Sequence, residues 1–135
     1  MRRVVRTLSA ALPLACLVAV AGAQEGPKGN PEAAKVKNPV ATSAESVAAG
    51  EAIYMRRCRG CHSKDGSGGP PKEAGERPAS NLSDAAWDFG STDGEIFFTI
   101  RNGVGPKFIM EAWDDRLSET DTWNVVNFLR TLEKK

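Results

Sequence analysis

The chain of 135 residues holds one histidine, three cysteines, three methionines and one tyrosine. There is no second histidine and no second cysteine pair, and with Cys16 assigned to a cleaved leader, two cysteines and one histidine fall short of the four protein ligands of a zinc finger or ribbon. Long apolar runs are missing too. The longest, Leu8 to Val20, is short and poorly flanked for a membrane span. Neither sign of charge dominates: 18 basic and 17 acidic side chains leave a formal +1, so no basic patch points to a nucleic-acid partner. No stretch alternates like a strand, and no internal repeat is visible. What remains is one small globular domain whose readable patterns are helical.

The first 23 residues read as a secretory signal peptide. Arg2, Arg3 and Arg6 precede the apolar run, and the small-x-small end "AGA", Ala21 to Ala23, places a cut before Gln24. An uncleaved anchor, and hence a membrane tether, is the alternative. "LPLAC" faintly resembles a lipoprotein cleavage site, but Pro13 and the apolar residues beyond Cys16 fit that pattern badly. Cys16 is therefore read as a small apolar residue of the discarded peptide. Cleavage leaves 15 basic and 17 acidic side chains, near −2. The location expected is periplasmic or otherwise exported, soluble or membrane-anchored if the segment is retained. Residues 24–43, "QEGPKGNPEAAKVKNPVATS", carry Pro27, Pro31 and Pro39 and no apolar period. They are expected to form a solvated arm or linker, with the folded domain at 44–135.

Three helices stand out. "SAESVAAGEAIYMRR" starts at Ser43 or Ser46, presents Val47, Gly50, Ile53 and Tyr54 near one face, and leads into Cys58. "TDGEIFFTIRNGV" offers Thr92 and Glu95 as a capping box, with a stop at Asn102-Gly103. "SETDTWNVVNFLRTLEKK" begins at Ser118, places Val125, Phe128, Leu129 and Leu132 at helical spacing, and arranges its charges to suit the helix dipole. A short helical turn is expected over Ser83 to Trp87. Between His62 and Ser80 the glycines and prolines predict loop. So much irregular chain in so small a domain calls for a disulfide, metal or cofactor to complete the core.

The chemistry concentrates in "CRGCH", residues 58 to 62. A zinc site lacks ligands. A thioredoxin-like dithiol would need a βαβ setting, whereas helix precedes this motif and Gly/Pro loop follows it. A plain disulfide would close too small a loop to matter and gives His62 no role. Covalent haem uses every residue, with thioethers to Cys58 and Cys61 and the imidazole of His62 on iron. A sixth ligand must then come from elsewhere. Met55 lies three residues before Cys58, on the same side as His62, while Met110 in "GVGPKFIMEAW" is free to cross over. Met110 as ordinary core packing, with an open iron or a ligand such as Lys107, stays open at this point.

The segment from about Ala44 to Leu132 resembles the class I single-haem c-type cytochromes, especially exported bacterial ones. The resemblance rests on "AAGEAIYMRRCRGCH", "GGPP", "NLSDAAW", "DGEIFFTIRNGV", Met110 with Trp113, and "LSETDTWNVVNFLRTL". It implies an all-α cytochrome c fold, three main helices packed around one haem c, and one-electron transfer. Residue by residue it implies Cys58 and Cys61 as thioether anchors, His62 and Met110 as axial iron ligands, and the carbonyl of Pro70 or Pro71 as acceptor for the other imidazole N–H. It also implies a close contact of Gly50 with Phe128, and Trp87 and Trp113 near the haem edge.

A site with both axial positions filled suits outer-sphere electron transfer at a positive potential. The expected function is therefore a one-electron carrier between exported or membrane redox proteins. A haem-based sensor with a displaceable methionine and a cytochrome subunit of a larger dehydrogenase or oxidase are the alternatives. Catalysis by this chain alone is not expected, since no acid–base pair or nucleophile accompanies the motif. Arg56, Arg57, Arg59 and Lys64 surround the attachment point, while Glu111, Asp114, Asp115, Glu119 and Asp121 lie past Met110. That asymmetry predicts steering of an acidic partner toward the attachment region.

Overall fold

Each expected main helix begins at an expected cap in the computed structural model, which describes residues 29–71, 74, 77–105 and 110–133. The Ser43 hydroxyl accepts the Ser46 N–H at 3.2 Å and opens α1, Ala44–Arg57. Cys58 closes α1, and a single further turn, α2, Arg59–His62, follows at once. Thr92 and Glu95 form a complete capping box for α3, Asp93–Asn102. Ser118 accepts the Asp121 N–H at 3.0 Å to start α4, Glu119–Leu132. The described residues hold no strand ladder, only isolated bridges at Gly69 with Ala79 and Val104 with Met110.

The largest contact between elements is α1 against α4. It is possible because residue 50 lacks a side chain: a Cβ there would lie 1.9 Å from the Asn124 carbonyl oxygen and 3.0 Å from Phe128 Cβ. Around this crossing Ile53, Tyr54, Ile96, Ile100, Trp123, Val125, Val126, Phe128 and Leu129 form the buried core. Tyr54 and Phe128 meet with ring centroids 5.2 Å apart, and Phe97 stacks on Trp123 at 4.0 Å. Arg130 fastens the end of α4 to the start of α3 through Asp93, 2.7 Å from its Nε, and the Ser91 carbonyl at 2.6 Å.

Two expectations change. The described part of the 24–43 arm, from residue 29 onward, is packed on the domain rather than solvated throughout. Ala33, in a 3-10 turn at Ala33–Lys35, is buried, and that turn lies on α3. A Cβ at Gly94 would meet the Ala33 carbonyl oxygen at 2.0 Å. Asn127 of α4 receives Asn38 Nδ2 at 2.8 Å and the Thr42 hydroxyl at 3.2 Å. Its own amide donates to Ser46 Oγ at 2.6 Å and the Val40 carbonyl at 3.2 Å. The physical reason is that main-chain and small polar groups, not an apolar period, dock this strap. Second, the helical turn expected over residues 83 to 87 is absent. Asn81 Oδ1 takes the Ser83 N–H and hydroxyl, both at 2.8 Å, and Asp84 Oδ1 takes the Ala86 N–H at 2.9 Å. These side chains capture the N–H groups that a helix needs. The expected signal peptide at 1–23 lies outside the described residues, as do residues 24–28.

Candidate metal centre

The CRGCH turn is built by the join of α1 to α2. The N–H groups of Cys61 and His62 both donate to the Cys58 carbonyl, at 3.1 and 3.0 Å. Helical spacing therefore carries Cys58 and Cys61 around the same turn, four residues and one residue before His62. The chain then reverses sharply. Ser63 adopts φ 65°, unusual for a residue with a side chain. It is held there by the Tyr54 hydroxyl, which donates to its carbonyl at 2.8 Å, and by its own hydroxyl, which donates to the Gly68 carbonyl.

That reversal lets the following loop fold back beside the histidine. Gly68 N–H donates to the His62 carbonyl at 3.1 Å, and Ala79 N–H donates to the Gly69 carbonyl at 3.1 Å. Both glycines are required by crowding. A Cβ at Gly68, where φ is 84°, would lie 2.5 Å from the Ala79 oxygen, and one at Gly69 would lie 2.4 Å from the Cys61 oxygen. The outcome is that His62 Nδ1 lies 3.0 Å from the Ser80 carbonyl oxygen. A carbonyl only accepts, so Nδ1 carries the proton and Nε2 keeps its lone pair.

This partner corrects the expectation for Pro70. The Gly69–Ala79 pairing brings residue 80, eighteen positions along the chain, onto the ring, while Pro70 and Pro71 are exposed. Burial holds the imidazole below its ordinary pKa, partly offset by the bond to Ser80. A neutral ring with Nε2 unprotonated is the form that binds a metal.

Cys58 and Cys61 are both unpaired and partly buried. Burial first, and the neighbouring Cys61 second, push the Cys58 thiol up to about 11. A thiol so raised is a poor nucleophile at neutral pH, which argues against a thioredoxin-like exchange site. Met110 is partly buried against the core, and its carbonyl accepts the Val104 N–H at 2.9 Å. Trp87 and Trp113 also border the core. They lie under Arg130 and Arg116, at 6.0 and 5.1 Å from ring centroid to guanidinium carbon. Lys107, the alternative ligand, lies outside the described residues.

The described residues fit a large apolar prosthetic group. Met55, Cys58, Leu82, Trp87, Phe97, Met110, Trp113, Leu117 and Leu132 all pack on the core yet remain only partly buried. A neutral histidine and two free thiols stand in the same set of elements.

The family model described as cytochrome C oxidase, cbb3-type, subunit III, matches residues 45–129. The chain belongs to that family. Its relatives include the cbb3-type cytochrome c oxidase subunit FixP of Bradyrhizobium sp. (strain ORS 278), 38% identical over 55% of this chain and 23% of that one. The FixP subunit of Azorhizobium caulinodans is 35% identical over 62% of this chain and 26% of its own. The CcoP subunit of Cereibacter sphaeroides is 33% identical over 63% and 27%. The chain spans about a quarter of the length of these curated relatives. Among solved structures, cytochrome CL from the marine methylotroph Methylophaga aminisulfidivorans superposes with a TM-score of 0.53 at 21% identity, over 68% of this chain and 56% of that one. The fold is thus the all-α cytochrome c fold, and the family's covalently bound, iron-containing c-type haem is the cofactor.

Ser63, Ser80 and Tyr54 shape the site without having been legible as site residues. Tyr54 showed only as an apolar-face position, and a serine that serves through its backbone carbonyl leaves no signal in a sequence.

Proposed function

We propose that this domain is a one-electron carrier in which Cys58 and Cys61 hold the haem, and Nε2 of His62 and the sulfur of Met110 occupy the two axial positions. The observation that carries the reading is the His62 ring: its Nδ1–H is committed to Ser80, which leaves Nε2 as the donor beside two free thiols. The haem supplies the one-electron couple at its iron. The protein's residues do the rest. Cys58 and Cys61 keep the group in place in both oxidation states, Ser80 orients the ring, and the apolar border excludes water and so favours the less charged, reduced state.

Membership of an oxidase-subunit family supports a second placement, as one haem domain within or alongside a membrane respiratory complex. No helix among the described residues is long and apolar enough to cross a membrane. The Leu8 to Val20 segment would act as export signal or tether, with the haem domain in the periplasm.

The test is spectroscopic. The full chain, expressed with haem-attachment machinery, is expected to retain haem through denaturation and to show the weak far-red band of methionine–iron bonding. Met110→Ala should lose that band and keep the haem. Covalent haem without the band in the parent would remove Met110 as ligand; no covalent haem would remove the whole reading. Copurification with membrane oxidase subunits would favour the second placement over a free carrier.

A further inference from the structure

The carbonyl on the imidazole is itself held by a side-chain contact. Ser80 Oγ donates to Asp88 Oδ2 at 2.7 Å, and Asp88 Oδ1 lies 3.5 Å from Arg77 Nη2. On either side of residue 80 the backbone is pinned, by Ala79 N–H on the Gly69 carbonyl at 3.1 Å and by Leu82 N–H on the Gly66 carbonyl at 2.6 Å. Those two bonds locate the loop. They leave the tilt of the Ser80 carbonyl to be set by its own residue.

We propose that Ser80 and Asp88 form a positioning pair for His62. Asp88 accepts the Ser80 hydroxyl proton and so keeps the Ser80 carbonyl on the imidazole Nδ1–H, which sets how strongly Nε2 donates to iron. The inference rests on the axial-ligand reading above. A carboxylate is a strong acceptor for a hydroxyl, and a partner on the far ring nitrogen raises the basicity of a metal-bound imidazole. The other partner of Asp88 holds it only weakly. Arg77 and Asp88 are 62% and 40% exposed, and an ion pair so placed adds little to stability. A cleft of about 500 Å³ lined by Gly68, Arg77, Ser80, Asp84 and Asp88 brings solvent to the pair. Solvent therefore reaches Ser80, the residue whose carbonyl holds the Nδ1–H, and exchange of that proton requires the bond to open.

The experiment uses the holoprotein with haem attached. Solvent exchange of the His62 Nδ1–H is followed by NMR in the reduced state, and the reduction potential is measured beside it. Ser80→Ala keeps the carbonyl and the Asp88 charge but removes the hydroxyl. Asp88→Ala removes the acceptor, Asp88→Asn keeps an acceptor without charge, and Arg77→Ala breaks only the ion pair. Ser80→Ala and Asp88→Ala are each expected to speed exchange by about fivefold, the effect of one weakened hydrogen bond, and to shift the potential positive. The double variant should add nothing to either single change. Arg77→Ala should exchange like the parent, and Asp88→Asn, a neutral and weaker acceptor, should fall between the parent and Asp88→Ala. Parent-like exchange in both Ser80→Ala and Asp88→Ala would overturn the pairing, and faster exchange with an unmoved potential would overturn its role in donation. A parent without covalent haem would overturn the ligand reading beneath it, an outcome visible before any variant is made.

Discussion

At the scale of single residues the sharpest case is Gly50. Helix propensity favours alanine over glycine at an interior position by about 1 kcal/mol, yet here a methyl group would sit 1.9 Å from the Asn124 carbonyl oxygen. That contact is backbone and cannot swing aside, so sterics win over propensity. Gly50→Ala is expected to lower the unfolding free energy by about 1–3 kcal/mol, read as a lower denaturation midpoint of the holoprotein. An unchanged midpoint would mean the α1–α4 crossing can open at no cost. The same scale shows where local pattern stops informing. Glycine and phenylalanine at 50 and 128 were legible as a contact, whereas the ring partner of His62 was placed ten residues too early, at Pro70 instead of Ser80.

Elements bring the strap and α3 together at one carboxylate. Glu95 caps its own helix and also accepts the Asn30 N–H at 3.0 Å, while Thr92 contributes its N–H at 3.0 Å and its hydroxyl at 2.7 Å. Burial works to raise the Glu95 pKa, but hydrogen bonds from Thr92, Asn30 and Ser91 outweigh it and hold the group below its ordinary 4.5. A carboxyl lowered in the folded state stabilises the fold fully above about 4.5, and that stabilisation is lost as pH falls through the lowered value. Denaturation curves at neutral and acid pH should therefore show an acid-sensitive component that Glu95→Gln lacks, with the variant less stable at neutral pH by about 1 kcal/mol. Parallel pH profiles for the two proteins would contradict the assignment. Asn127 binds the same strap to α4 at three points, through Asn38, Val40 and Thr42, and reaches Ser46 of α1 with a fourth bond. Asn127→Ala is expected to cost about 1–3 kcal/mol and to speed hydrogen exchange over residues 38–42 ahead of the rest of the domain.

For the whole molecule, two properties follow from its small core and uneven charge. Large apolar side chains from the loops and all three long helices border the core without being covered, so the prosthetic group should contribute strongly to folding. A Cys58→Ala, Cys61→Ala chain, unable to form thioethers, is expected to melt well below the holoprotein and less cooperatively; equal melting would show that the protein core suffices. Arg56, Arg57, Arg59 and Lys64 are exposed around the attachment turn. Of the acids beyond Met110, Glu111 and Asp115 are partly answered by Arg116, at 2.7 and 3.5 Å, and Asp121 is engaged by the Ser118 hydroxyl at 2.8 Å. The basic side thus keeps its charge more openly than the acidic side. Association with an acidic redox partner should slow as ionic strength rises, and Arg57→Glu should slow it further at low salt. A flat response would remove electrostatic steering.

The three main helices, their caps and the CRGCH constellation were readable because each depends on residues within a few positions of one another: a hydroxyl three residues before a carboxylate, an apolar face at helical spacing, two thiols and an imidazole in five positions. Tertiary structure alone decided the rest. The strap docks through main-chain carbonyls and small side chains, Ser83 and Ala86 give their N–H groups to Asn81 and Asp84 instead of to a helix, and Ser80 reaches His62 by way of a glycine pairing across the loop. Such contacts form between groups that almost every residue possesses. Residue identity therefore does not announce them, and they exist only once the packed chain has brought distant backbone together.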